Sequence, residues 1–170
     1  MTSKLIKDGQ LATDSWHLLP ADASAEQLQA LDGSDVIVPL ALWQSAAELI
    51  KQRKGQTGVW LNSDEVPAAL GNDVNSIPLI ALNFPEFKDG RSFSSARELR
   101  TRMGYTGELR AIGDVLRDQL FFMRRCGFNA YALREDQDLD AALSAFADFH
   151  EAYQAAVDQP LPLFRRRLQS

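Results

Sequence analysis

The residues best equipped for chemistry in this sequence are arginines, and they are gathered in one stretch. Between Lys88 and Arg125 stand nine basic residues, eight of them arginine, against five acidic ones. That stretch carries +4, set in a remainder that carries −9. Arginine's planar fork recognises carboxylates and oxyanions bidentately, which a solvated lysine does not. Asp89-Gly90-Arg91 reads as a charged tight turn, with Ser94, Ser95 and Arg97 at the expected start of a helix. A helix N-terminus with free N–H groups beside an arginine makes an anion site. Arg91, Ser94, Ser95, Arg97 and Arg110 are therefore the candidate anion-binding residues, and Asp89, Gly90 and Gly113 supply the turns. Asp114 and Asp118 are the carboxylates available there for general acid/base work. The plainer alternative for each arginine is a solvated helix face with ion pairs three or four residues away, a spacing that Asp114 and Arg117 have.

These residues need elements to hold them. Val36–Leu40, Val59–Leu61, Ile77–Phe84, Leu109–Ile112 and Ala130–Leu133 are short apolar or β-branched runs that read as buried strands. Between them lie helical patterns over Ala25–Leu31, Leu42–Lys54, Ser95–Met103, Asp114–Cys126 and Leu139–Ala156. Ser95 and Glu98 have capping-box spacing, and Gly104 and Gly127 are placed as C-terminal stops. Strands alternating with helices predict an α/β domain with about five mainly parallel strands. A doubly wound open sheet is the expected form, with a partial β/α barrel as the alternative, because a complete barrel needs roughly 200 residues or more. The organisation expected is one domain over 1–170, with an irregular segment over 1–33, the alternating core over 34–157 and a Pro/Arg tail over 158–170. Within the first segment, Asp8-Gly9 is a hairpin-turn dipeptide between two short apolar stretches.

Composition excludes several classes. The 170-residue chain is 45% hydrophobic and 24% charged, as expected of a globular domain rather than a disordered chain. A net charge of −5 is a poor start for a nucleic-acid binder, which needs a basic face. The single Cys126 excludes an internal disulfide, a Cys₄ zinc site and a self-contained Cys-ligated iron–sulfur cluster. It lies on an apolar helical stripe with Phe122 and Met123, where a core role is the default. His17 and His150 stand apart from other ligand residues, so no metal site is expected. There is no Gly-rich nucleotide loop, nucleophile elbow or C-x-x-C, so no cofactor is expected and spacing alone supplies no catalytic mechanism. Trp16, Trp43 and Trp60 are scattered and read as core. The first ten residues lack an apolar leader segment and the longest apolar runs are about eight residues, far short of the ~20 that cross a bilayer. A cytoplasmic protein without membrane or nucleic-acid partners is the expectation.

The strings DGR-x-F-S-x-A-R (Asp89–Arg97) and G-E-L-R-A-x-G-D-V-L-x-D-Q (Gly107–Gln119) are long and specific. With the looser IKDGQLATDSWHLL, VPLALW and ALREDQDLDAAL, they make the chain resemble an uncharacterised bacterial family catalogued as a domain of unknown function. The resemblance implies a setting beside the sulfite reductase haemoprotein, with which that family is typically encoded, and an oxidoreductase label that comes from this neighbourhood rather than from mechanism. It brings no catalytic residues with it. Six-electron sulfite reduction needs sirohaem and a multi-cysteine cluster, which one cysteine does not provide. The implied role is thus an accessory of assimilatory sulfite reduction, binding a small oxyanion or the haemoprotein through the arginine-rich segment. The alternative is a small stand-alone enzyme acting on a phosphorylated or sulfated metabolite at the strand C-terminal ends.

Overall fold

The apolar runs form the sheet that the sequence predicts, and the first 33 residues extend it. In a computed structural model, described over residues 3–72, 74–86 and 88–147, strands β1 (Ser3–Lys7) and β2 (Gln10–Asp14) form an antiparallel hairpin. Its two-residue turn uses Asp8 and Gly9 at φ 51° and 77°, the left-handed conformation that matches strand twist and that Asp-Gly tolerates. There follow β3 (His17–Leu18), β4 (Val36–Pro39), β5 (Thr57–Leu61), β6 (Leu79–Phe84), β7 (Glu108–Gly113) and β8 (Ala130–Tyr131). The sheet order is β2-β1-β8-β7-β6-β5-β4-β3, and β3 to β8 are all parallel.

That order corrects the preferred topology. A doubly wound sheet reverses its strand order at a switch point, whereas here each crossover steps to the next neighbour in one direction. Right-handed crossovers taken always one way lay their helices on the same face and curl the sheet. The α/β fold is therefore an open half-barrel, the partial-barrel form of the expectation. The run over 1–33, read from sequence as irregular, instead carries the hairpin, β3 and helix α1 (Ala25–Ala30), which Ser24 and Gln27 cap reciprocally.

The two faces of the sheet have different fillings. Along β6, Ile80, Leu82 and Phe84 pack against the helices with Leu99, Leu120 and Met123. Leu79 and Ala81 face the other way and meet Ile37, Ile112, Trp16 and Trp60, with no helix residue among them. The remaining helices are α2 (Leu40–Ser45), α3 (Ala47–Gln52), α4 (Arg91–Arg97), α5 (Leu120–Cys126) and α6 (Leu139–Ala147). The single helix expected over 42–54 is two, broken at Ala46. The helix expected from Ser95 begins four residues earlier at Arg91, with Gly90 before it, so Ser95 and Glu98 form no capping box. It widens into a π turn over Glu98–Arg102, where the Met103 N–H reaches the Glu98 carbonyl. Gly127 closes α5 at φ 117°, as its position suggests. The later part of the expected long helix, His150 and the Arg165–Arg167 tail lie outside the described residues.

Candidate functional site

The C-terminal ends of parallel strands are where α/β sheets bind ligands, and here that edge is polar and ordered. β5 runs out into Asn62, β6 carries Asn83 one residue before its end, and Asn83 Nδ2 donates to Asn62 Oδ1 at 3.0 Å. The next residue, Ser63, donates its hydroxyl to Asp89 Oδ2 at 2.6 Å. Arg91 clasps the same carboxylate with Nη2 at 2.7 Å and Nε at 3.0 Å, and its Nη2 also reaches Ser63 Oγ at 3.0 Å. The Arg91 and Ser63 hydrogen bonds hold the Asp89 carboxyl well below the usual carboxylate range, and Asp89 in turn raises Arg91. Ser92, buried behind this turn, donates to the Asn83 carbonyl at 2.7 Å and anchors the loop to β6.

Gly113 ends β7 beside Asn83. Its φ is +90°, and a Cβ there would overlap Asn83 Oδ1 and stand 2.5 Å from the Phe84 carbonyl oxygen, so only glycine serves. Asp114 then turns outward to accept from Arg134 Nη1 at 2.8 Å. Arg134 also grips Asp136 through Nε and Nη2, which lowers that carboxyl to about 2.

The structure gives the five sequence-derived anion residues to three separate settings. Arg91 sits in the cluster just described. Ser94 and Ser95 lie within α4 rather than at its N-terminus, and Arg97 lies further along, its guanidinium 5.9 Å from the centre of the Phe122 ring. Arg110 faces the concave side and is 3% exposed. There it donates to Glu108 Oε1 from Nε at 2.9 Å and to Asp14 Oδ1 from Nη1 at 3.0 Å. Lys7 completes that network at 2.7 Å from Glu108 Oε2. Of the two acid/base candidates, Asp114 is engaged with Arg134 and Asp118 stands exposed on the turn over 117–119. Cys126 is buried in the helix-side core. Among the described residues no group of three or more His, Cys, Asp or Glu is placed to hold a metal, and no helix is long and apolar enough to cross a membrane.

Arg100 has a different task. From the π turn its Nε donates to the Gly127 carbonyl and Nη1 to the carbonyls of Tyr105 and Gly107, each at 2.9 Å. Burial lowers its affinity for the proton, and it also pushes the Tyr105 hydroxyl up, against the pull of Arg100.

Sequence reading passed over Asn62, Ser63, Asn83 as a side chain, Trp60 and Phe122. One signal was present: each of two apolar strand runs carries Leu-Asn at or next to its end, and the register pairs Leu61 with Leu82, which sets the two asparagines side by side.

A family model described as a bacterial protein of unknown function, DUF934, matches residues 58–164. Neither the curated proteins nor the solved structures contain a match.

Proposed function

This chain belongs to the DUF934 family, and from that premise we propose that it serves sulfite reduction as an accessory that docks on the acidic surface of the sulfite reductase haemoprotein. The observation that carries this reading is Phe122. The residue is 49% exposed, and its ring lies under the guanidinium of Arg97 and meets the Phe93 ring at a tilt, 4.8 Å between centres. Phe93 in turn meets the buried Phe84 at 5.0 Å, so the exposed ring is braced against the core. Aromatic and arginine side chains of this kind are the residues that dominate protein interfaces. Arg102, with its side chain 80% exposed in the same helical run, stands 3.9 Å from Glu98 in a loose exposed pair. Docking accounts for these groups better than oxyanion capture at Arg91 does. The Asp89 carboxylate already occupies that guanidinium and repels an incoming anion. Docking also asks for no redox centre, in keeping with a single cysteine buried in the core.

The test is titration of the full chain into the purified haemoprotein by calorimetry at low and raised ionic strength. A complex is expected that weakens with salt, with Phe122→Ser and Arg97→Glu each weakening it at least tenfold. No complex at low ionic strength, or variants that bind as the parent does, overturns the reading.

A further inference from the structure

Above Trp60, at the mouth of the half-barrel, lies a cavity of about 420 Å³ that the docking face does not use. Its size falls within the range of small-molecule sites, and its position is the one that βα sheets use for ligands. One wall is Leu19, Pro20 and Ala21, from the loop that follows β3; the other is Trp60 and Ile112 on the concave face. Trp60 spends its only donor, Nε1, on the Leu19 carbonyl at 2.9 Å, so its indole is pinned and offers the cavity carbon surface. The polar end is Asn83 with Gly113. Asn83 Nδ2 gives one of its two hydrogens to Asn62, and the group turned to Gly113 is Oδ1, an acceptor, for which the missing Cβ of Gly113 leaves room.

The lining carries no charged side chain. The arginines of the same edge are engaged, Arg91 by Asp89 and Arg134 by Asp114 and Asp136. An anion finds no partner here, and neither does a cation. A strand-forming peptide has only the two residues of β3 to pair with. What matches apolar walls, one aromatic surface and an amide end with an acceptor turned to Gly113 is a neutral ring that brings its own donor. We propose that this cavity binds a flat, uncharged nitrogen heterocycle, its ring against Trp60 and an N–H donated to Asn83 Oδ1. The proposal stands independently of the docking reading.

Benzimidazole, a neutral bicycle with one N–H, is the probe, and the Trp60 indole N–H resonance of the full chain is the reporter, assigned by its loss in Trp60→Phe. Benzimidazole is expected to shift that resonance saturably, and 1-methylbenzimidazole, which keeps the ring and loses the donor, to bind at least tenfold more weakly. Ala21→Trp, a substitution at an exposed position of the rim, is expected to fill the cavity and abolish the shift while the amide spectrum stays that of a folded chain. The proposal is overturned if benzimidazole leaves Trp60 unmoved, if the two probes bind equally, or if the shift survives in a folded Ala21→Trp. The comparison of the two probes needs no variant, so it decides the matter even where Ala21→Trp fails to fold.

Discussion

On the concave face of the sheet Arg110 is 3% exposed and meets two carboxylates, whereas on the helical face Arg97 is exposed and rests on the ring of Phe122, although the two lie only 13 positions apart. Arg110 reaches from β7 to Asp14 at the end of β2, a residue three strands away in the sheet order, and so acts as a chord across the curl. Arg97 makes no such tie across the sheet; it joins α4 only to Phe122 on α5. The difference teaches that a run of positive charge in sequence is partitioned by the fold. Arg110, turned inward, is neutralised by carboxylates and used as a strut, whereas Arg97, turned outward, rests on an aromatic ring.

The sharpest way to break this contrast is Arg110→Ala. Removing one partner of a buried pair leaves Asp14 and Glu108 without their cation, and such losses cost about 3–5 kcal/mol. Arg97→Ala, at an exposed position, is expected to stay within about 0.5 kcal/mol of the parent. Urea unfolding of both variants measures the gap. If they are equally destabilised, the division into strut and free charge is wrong.

A smaller effect is expected from Arg100→Lys, which refines the contrast by separating charge from shape. Lysine keeps the positive charge but cannot serve three carbonyls from a fixed fork. The loss is about 2 kcal/mol, in line with hydrogen bonds made by a charged group, and again reads out in urea. An unchanged midpoint would mean that charge alone, not the guanidinium geometry, secures the loop over Tyr105–Gly107 and the end of α5.

Five of the six parallel strands were legible because each is an apolar run bounded by turn residues, and period and boundary are properties of the local sequence; the two-residue β3 was too short to show either. Topology was not, since the direction of each crossover depends on how neighbouring units pack; the same βαβ rhythm serves a doubly wound sheet and a half-barrel. The site was legible only in part. Asp89-Gly90-Arg91 could be read as a charged turn, and the structure sets it in the loop after β6 with Arg91 bonded to Asp89. Its true partner, Ser63, lies 26 residues before Asp89 and carries no mark of its own. Arg110 misled for the opposite reason: an alternating strand hides which face a charge takes, and of its two carboxylates only Glu108 is near in sequence, Asp14 being 96 residues away. Ser95 misled through a local pattern, the capping-box spacing, that was outcompeted when the helix started at Arg91.

The smallest effect tests whether the rim behaves as an ordered cluster or as an ordinary surface pair. Asp89 is held below the usual carboxylate range by Arg91 and Ser63. A carboxyl whose affinity for protons is lower in the folded chain than in the unfolded one stabilises the fold above the ordinary Asp value of about 3.9, and that contribution fades as pH falls towards the folded value. Between about pH 5 and pH 2 the parent should therefore lose more stability than Asp89→Asn, which has no proton to gain at that site. The direct measurement is the Asp89 carboxyl carbon shift, whose midpoint should lie below the ordinary value in the parent and return towards it in Arg91→Ala. An ordinary midpoint in the parent would show that the clasp over Asp89 is a screened surface contact, no different in kind from the other exposed pairs.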